Sequence, residues 1–319
     1  MIILWVIGFV VGLTITALAS RKAVTAALAA SEASNISPGL IGLTVVSIGT
    51  DLPEIANSIA AAFTGHGDLI VGDAAGSSMT QVTLVLALLC FTTHSLRADR
   101  QTVLLVGGFT TAALLVDAII VQDGLFSRAE GLALVIGWFI LVFVIYRHLP
   151  PEGSPDPIGT APVEIQIARK TAILDALLAI FWLAVVAAAA TLVVQSFVHV
   201  TDAIGVPELV ASALVLSIGT SLPELVVDWT AIRRGAAALA IGDLFGSSLL
   251  DATLALGAGP AMRATIVSPG AATICIIAAL GVAAATAVGS SKPVLGRRSG
   301  AMLFGIYGTA AVAMVIATA

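Results

Sequence analysis

Charged side chains are scarce in this sequence. Of its 319 residues, 10% are charged and 59% are hydrophobic, and the mean hydropathy is +1.09. A soluble globular domain carries about 25% charged residues. The composition therefore excludes an ordinary soluble domain. It predicts an all-α polytopic membrane protein whose main surroundings are the lipid bilayer.

Several functional classes lack the residues that they need. No basic stripe of the kind that binds nucleic acid is present, so no nucleic-acid partner is expected. Cys90 and Cys275 are the only cysteines, and both lie in apolar runs far apart in the sequence, which indicates small core residues. The four histidines fall in loops or at the ends of apolar segments. A histidine proton relay is therefore not indicated.

The first apolar run is predicted to be a retained helix. No basic residue precedes it, no small-residue cleavage site is evident, and Arg21 and Lys22 follow it. A secretory signal would show the opposite order of charge and apolar run. We therefore expect the chain to start with its first membrane span.

Ten apolar windows are long enough to cross a bilayer, which takes about 20 residues. They are 2–20, 38–63, 69–92, 102–122, 129–148, 171–198, 206–231, 238–258, 270–289 and 299–318. The longest polar stretch is rich in proline and separates the fifth window from the sixth. We therefore predict an N-terminal five-helix repeat at 1–150, a cytoplasmic linker at 151–170 and a C-terminal five-helix repeat at 171–319.

Basic residues are distributed unequally between the loops. Twelve of the fourteen lie after odd-numbered windows, and only Arg128 and Arg263 lie on the other side. Loops rich in lysine and arginine face the cytoplasm. The bias predicts a multi-pass protein of the cell (plasma or inner) membrane, with the N-terminus outside and the loop at 149–170 in the cytoplasm.

The two halves contain copies of one segment. Positions 45–84 align with 215–254 without a gap, and eighteen of the forty positions are identical, including Pro, Glu, Asp and Ser. Shared helix composition does not explain such matches, so we infer a duplication with repeats at about 41–88 and 211–258. Five spans separate the copies, so the repeats are inverted. Inverted repeats are typical of transporters, with a midplane site here between broken helices 2, 3, 7 and 8.

The first helix of each copy carries a proline and a glutamate, in GTDLPE and GTSLPE. Each proline removes a helical N–H and crowds a carbonyl, so each helix should kink and turn backbone oxygens inward. Thr50 and Glu54 share a helix face, as do Thr220 and Glu224. Such oxygen ligands suit Ca²⁺ and Na⁺, whereas Zn²⁺ and Cu⁺ prefer histidine or cysteine. A charge at the bilayer centre costs at least about 2.5–3.5 kcal/mol, which indicates a function for both glutamates.

The second helix of each copy carries three polar residues spaced by four, which puts them on one face. They are Asp73, Ser77 and Gln81 in the first copy and Asp243, Ser247 and Asp251 in the second. The two Gly-Asp positions stand near the starts of their windows. They are therefore either site residues or helix N-caps and interfacial residues. Asp228 is placed in an access path or near the cytoplasmic mouth, while Asp117, Asp175 and Gln195 are expected to be structural.

These paired motifs resemble the two α-repeats of the cation/Ca²⁺ exchanger superfamily, and the sodium/calcium exchanger branch most closely. The resemblance covers the whole chain. It implies secondary active antiport of Ca²⁺ against Na⁺ by alternating access, without enzymatic activity or a resident cofactor. The ion ligands that it implies are Thr50, Glu54, Ser77, Gln81, Thr220, Ser221, Glu224, Ser247 and Asp251, with backbone oxygens near Ser47 and Ser217.

Asp51 is a departure from that family pattern. It stands where the family usually has serine, and we predict it as an additional metal ligand. Together with Asp73 and Asp243 it makes the site more acidic than the pattern, so antiport coupled to H⁺ or K⁺ and exchange of another divalent cation are alternatives. A channel is a further alternative. An intramembrane aspartyl protease is a remote one, because the full GxGD context is absent and the Pro-Glu pairs would have no role. No obligate protein partner is evident.

Overall fold

The computed structural model of the protein describes residues 2–30, 42–93, 96–148, 172–233 and 235–318. Within these ranges nine helices are long and apolar enough to cross a bilayer, and a tenth, broken helix is present between the first two. The helices are α1 (Ile2–Ala30), α2 (42–64), α3 (Gly67–Thr92), α4 (Arg100–Ile120), α5 (Arg128–His148), α6 (Ala172–Ile204), α7 (Glu208–Arg233), α8 (Ala237–Met262), α9 (Ala271–Ser290) and α10 (Arg297–Thr318). The predicted linker at 151–170 lies outside the described residues.

Helices α2 and α7 are each broken near their middle. The breaks fall at Asp51 and Ser221, where ψ is 5° and 3° instead of a helical value. Each break precedes the motif proline by two residues, because proline suits the first turn of a new helix and not a helix interior. The predicted kinks are confirmed. The segments are Gly42–Val46, Ser47–Thr50 and Leu52–Thr64 in α2, and Glu208–Ala211, Ser212–Leu216, Ser217–Thr220 and Leu222–Arg233 in α7.

In the described residues, four π-helical turns occur at equivalent positions of the two repeat copies. Gly42–Val46 in α2 corresponds to Ser212–Leu216 in α7, and Gln81–Val85 in α3 corresponds to Asp251–Ala255 in α8. The members of each pair occupy aligned positions of the two copies. Such turns are rare and frequent at functional sites, since they re-aim side chains and disturb the regular helical hydrogen bonds. In α3 and α8, the predicted breaks are therefore π turns within helices that otherwise continue.

Two short strand pairs show that the repeat is inverted. The strands are β1 (Leu96–Arg97), β2 (Leu125–Phe126), β3 (Thr265–Ile266) and β4 (Val294–Leu295), and β1 pairs antiparallel with β4 as β2 does with β3. With the 170-residue offset between the repeats, Leu96 is equivalent to Ile266, and Leu125 is equivalent to Leu295. The pair Leu96–Leu295 is therefore equivalent to the pair Ile266–Leu125, so the repeat relates one strand pair to the other. Because α4 runs from β1 to β2, the two pairs lie at opposite ends of the helices. The operation that relates the halves therefore turns one of them over in the membrane, as predicted.

The repeat helices α3 and α8 form the centre, and nearly all of their side chains are buried. Around them α4 packs against α9, α5 against the end of α8, and α10 against the end of α3. Helices α1 and α6 form a separate pair in close contact: a Cβ on Gly8 would lie 2.7 Å from Ser196 Oγ, and one on Gly12 would lie 2.8 Å from Val193 Cγ2.

The second half of α2 is packed more deeply than the second half of α7. Leu52–Thr64 lies against α6 and the end of α8, where the backbone N–H of Gly259 donates to Ser58 Oγ at 3.0 Å. Among the described residues, Leu222–Arg233 has no comparable packing against α1 or the end of α3. One apolar face of α7 is therefore exposed while its counterpart in α2 is half-buried. The exposed residues are Leu222, Val226 and Trp229, and the counterparts are Leu52, Ala56 and Ile59.

Candidate cation-binding site

Three carboxylates meet where α2 and α7 are broken. Asp51 forms the break of α2, and Glu54 and Glu224 lie in the first turn of the segment that follows each break. One oxygen of each carboxylate lies within 4.8 Å of the other two, and all three side chains are buried. Carboxylates at this spacing can bind one cation together. The positive ends of the two half-helices also point toward the cluster.

In the part of the chain that the structure describes, Asp51 and Glu54 have neither a hydrogen-bond donor nor a counter-charge. No donor in the described residues bonds to the carboxylate oxygens of Asp51 or Glu54. The one ion pair within the described residues joins His66 to Glu208 and lies away from the cluster. A buried anion without a counter-charge or donors is strongly disfavoured. The buried acids therefore need neutralisation, by bound cations or by protons.

Gln81 and Asp251 extend the cluster from the second helices. Each begins one of the two equivalent π turns, and Gln81 Nε2 donates to Asp251 Oδ2 at 3.0 Å. Gln81 Oε1 and Asp251 Oδ1 have no donor among the described residues. Asp251 is also among the charges nearest to Asp51 and Glu54. One amide oxygen and one carboxylate oxygen are thus available to a cation next to the three carboxylates.

Hydroxyl groups connect the two repeats crosswise. Thr50 Oγ1 lies 3.5 Å from Ser247 Oγ, and Thr220 Oγ1 lies 3.2 Å from Ser77 Oγ. The two contacts are equivalent under the alignment of the repeats. Ser221 is buried beside them at the break of α7, and its hydroxyl has no partner in the described residues. These neutral oxygens are suitable ligands for Na⁺ and Ca²⁺ around the carboxylates.

Ser47 and Ser217 are the most saturated of the predicted ligands. The carbonyl of Ser47 accepts from the N–H of Asp51 at 2.9 Å and from the Thr50 hydroxyl at 3.3 Å, and Ser217 has equivalent bonds. The Ser217 hydroxyl donates to the carbonyl of Ala213 at 2.6 Å. All twelve predicted site residues are buried and lie along the two breaks and π turns, but these two have the least capacity left for an ion.

Asp73 and Asp243 are buried interior residues, and the N-cap alternative is wrong. Both are buried within α3 and α8, whose N-cap positions are His66 and Ala236. Asp73 accepts from Thr220 Oγ1 at 3.3 Å, so it belongs to the network around the site. The Gly-Asp identity of the two copies was the signal that could have placed them there.

Other polar residues lie away from the central cluster. Asp117 is buried on α4 near Cys275, and no donor in the described residues reaches its carboxylate. Both cysteines are buried and free, as expected. Gln195 is exposed, and the side chain of Asp175 lies outside the part of the chain that the structure describes. The structural interpretation of Asp117 stays a prediction.

The similarity to known proteins extends over both halves. A family model described as sodium/calcium exchanger protein matches residues 4–147 and 174–316. The chain belongs to the sodium/calcium exchanger family. This exchanger is therefore a multi-pass Ca²⁺/Na⁺ antiporter and not an enzyme, which excludes the protease alternative.

Two bacterial relatives and one archaeal relative illustrate the family. The exchanger is 32% identical over 269 residues to the putative antiporter CaxA of Alkalimonas amylolytica, covering 82% of this chain and 80% of that protein. It is 30% identical to the inner membrane protein YrbG of Escherichia coli K12, covering 78% and 77%. It is 26% identical to the sodium/calcium exchanger MaX1 of Methanosarcina acetivorans, covering 70% and 73%.

The fold is that of a solved exchanger. The structure of the sodium-calcium exchanger NCX_Mj soaked with 10 mM Na⁺ and 10 mM Sr²⁺ matches with a TM-score of 0.63 and 26% identity, covering 97% of this chain and 98% of that one. The match with the same protein soaked with 10 mM Na⁺ and no Ca²⁺ has the same TM-score at 25% identity. The ten-helix architecture predicted from the sequence is confirmed.

Proposed function

We propose that the exchanger binds Ca²⁺ and Na⁺ alternately at one shared site around the helix breaks. The observation that carries the proposal is the buried cluster of Asp51, Glu54 and Glu224, in which one oxygen of each carboxylate lies within 4.8 Å of the other two. Ca²⁺ compensates two of these charges, and several Na⁺ ions compensate the same charges in its place. Because both ions use the same oxygens, their binding is competitive. The empty site is disfavoured in a low dielectric, which enforces exchange over uncoupled return.

The ligands divide between charged and neutral oxygens. Glu54 and Glu224 supply the main charges, with Asp51 as a third. The residues that complete the coordination shells are Thr50, Ser77, Gln81, Thr220, Ser221, Ser247 and Asp251, with backbone oxygens of Ser47 and Ser217. The crosswise hydroxyl contacts and the oxygens left without donors support this assignment.

Alternating access in this proposal is a movement of α1 and α6 against the repeat core. The two helices are fastened to each other near both ends: Trp5 stacks on His199 with ring centroids 4.0 Å apart, and the Lys22 ammonium lies 4.4 Å from the centroid of Trp182. The pair covers α2 more completely than α7. In the opposite state, the symmetry of the repeats would bring α1 onto the exposed face of α7.

We further propose the orientation that the basic residues indicate. The N-terminus is then outside the cell (plasma or inner) membrane, and the linker at 149–170 between the two five-helix halves is cytoplasmic. In this orientation the tightly packed half of α2 faces outward and the less covered half of α7 faces the cytoplasm.

Flux measurements on vesicles test both the site and the coupling ion. The purified protein is reconstituted, and uptake of radioactive Ca²⁺ is measured under a Na⁺ gradient, then under a pH gradient, each with and without K⁺. We expect uptake to follow the Na⁺ gradient. Uptake driven by the pH gradient in the absence of Na⁺ would establish H⁺ coupling, and a requirement for K⁺ would establish K⁺ participation.

The variant Glu54→Gln is expected to abolish this uptake. Asp117→Asn is the matched control, because it removes the charge of a buried acid outside the site and should keep uptake. Near wild-type uptake by Glu54→Gln would contradict the proposed site.

A further inference from the structure

Asp228 is a buried acid that exchange at the central site does not use. It lies on α7 one helical turn beyond Glu224 and is fully buried, and neither of its oxygens has a donor in the described residues. Its counterpart in the first repeat is Ser58, whose hydroxyl accepts from the backbone of Gly259. The second repeat therefore has an unsatisfied carboxylate where the first repeat has a packing contact.

Asp243 faces Asp228 from α8. The second half of α7 packs against α8, which makes the two acids neighbours, and Glu224 is a further charge close to both. Asp243 Oδ1 is held by the hydroxyls of Ser47 at 3.1 Å and Ser247 at 3.5 Å. Asp243 Oδ2 has no donor in the described residues. Both oxygens of Asp228 and one oxygen of Asp243 thus lie in the same buried region without donors among the described residues.

The corresponding place in the first repeat is filled differently. Asp73 accepts from Asn57 Nδ2 at 3.4 Å and from Thr220 Oγ1 at 3.3 Å. Each of its oxygens therefore has a neutral donor within hydrogen-bonding distance. In the second repeat, the residue at the position of Asn57 is Val227, which offers no donor. Two adjacent buried carboxyl groups are stable in a membrane interior only if they share a proton or bind a cation.

We propose that Asp228 and Asp243 form a second hard-cation site on the α7 side of the central cluster. The inference rests on the proposed function, because the ion would reach this site along the same path. Its oxygens suit alkali and alkaline-earth cations. Ca²⁺ neutralises the pair fully, whereas Na⁺ neutralises half of it. Ions that enter along the second half of α7 would bind here before they reach the central cluster. Ions that enter along the second half of α2 would meet no such site.

Equilibrium binding to the purified full-length protein tests the second site. Radioactive Ca²⁺ is titrated to millimolar concentrations in a choline buffer free of Na⁺ and K⁺, and Na⁺ is then added as competitor. If Ca²⁺ occupies the pair, the wild type binds two Ca²⁺ per chain, Asp228→Asn loses the second, and Glu54→Gln retains it. If Na⁺ occupies the pair, one Ca²⁺ binds, and Asp228→Asn lowers the Hill coefficient of Na⁺ competition. Both outcomes support the site.

Two variants keep this experiment decisive. Asp228→Glu preserves the charge and should preserve the second site, which separates loss of a ligand from misfolding. Ser58→Asn makes the matched change in the first repeat and should leave the Ca²⁺ stoichiometry unaltered. The proposal is overturned if Asp228→Asn, folded as judged by monodisperse elution, changes neither the Ca²⁺ stoichiometry nor the Na⁺ competition. Failure of the central site would instead appear as unchanged binding and flux in Glu54→Gln.

Discussion

The second half of α2 and the second half of α7 occupy equivalent positions in the two repeats, yet their surroundings differ. The α2 segment is covered by α6 and sealed to α8 through the contact between Ser58 and Gly259. The α7 segment exposes an apolar face and has Asp228 where the seal would be. The π turns and the strand register, by contrast, follow the repeat without deviation. The backbone is thus symmetric, while the packing and the charges are not.

The symmetric backbone and the asymmetric side chains contribute differently to the site. The duplicated backbone brings two glutamates and two threonine–serine pairs together in a symmetric arrangement. Around the site, the acids that break the symmetry are Asp51 in the first repeat and Asp228 and Asp251 in the second. If these acids bind ions as proposed, we expect the two ends of the transport path to differ in ion binding.

The largest expected effect tests the symmetric part of the site. Glu224→Gln should impair Ca²⁺ exchange as strongly as Glu54→Gln, because each removes one of two equivalent charges from a buried site. A loss of about 3 kcal/mol corresponds to a roughly 100-fold weaker apparent affinity for Ca²⁺. The initial rate of uptake as a function of Ca²⁺ concentration measures it, with Asp117→Asn as control. A much weaker effect of Glu224→Gln would show that the two repeats do not share the ion.

The next effect concerns the acid at the break of α2. Asp51→Ser makes the first break identical to the second and should weaken Ca²⁺ affinity by about tenfold, because a charged ligand is exchanged for a neutral one worth about 1.5 kcal/mol less. The double variant Asp51→Ser/Ser221→Asp moves the acid to the other repeat and should restore affinity. Ca²⁺ uptake under Na⁺, K⁺ and pH gradients is the measurement. If the double variant behaves like Asp51→Ser alone, the position of the acid matters and not only its charge.

The sequence predicted the symmetric part of the molecule better than the asymmetric part. Pro53 and Glu54 in an apolar run, repeated as Pro223 and Glu224, are sufficient to infer broken helices, inversion and a midplane site. The π turns in α3 and α8 have no compositional signal, because they arise from how these helices pack. The apolar windows place Asp73 near a helix start because they locate helix ends only coarsely. The unequal packing of α2 and α7 could not be predicted from the sequence either. One sequence encodes both access states of an exchanger, and the structure shows only one of them.

A smaller effect tests the sealed side. A Cβ on Gly259 would collide with the carbonyl oxygen of Ser58, so Gly259→Ala should push α8 away from α2. Such overpacking costs at least about 1 kcal/mol, which should slow exchange roughly fivefold while leaving the equilibrium affinity for Ca²⁺ unchanged. Gly308→Ala is the matched control, because nothing lies within 4 Å of a Cβ there. A loss of affinity in place of rate would mean that the contact shapes the site and not its closure.

The smallest effect tests the crosswise hydroxyl pairs. Ser77→Ala and Ser247→Ala each remove one neutral oxygen beside the carboxylates, from opposite repeats. Each should weaken Na⁺ competition by about 0.6 kcal/mol, roughly threefold, while Ca²⁺ affinity changes less because it depends mainly on the carboxylates.

The two variants should differ, however, since Ser247 also donates to Asp243 at 3.5 Å whereas Ser77 has no such bond to Asp73 among the described contacts. Ser247→Ala should therefore also disturb Na⁺ binding next to Asp228, and the Na⁺ concentration that halves Ca²⁺ binding should rise more for it than for Ser77→Ala. Equal shifts in both variants would place the whole Na⁺ effect at the symmetric central site and none at the acidic pair beside it.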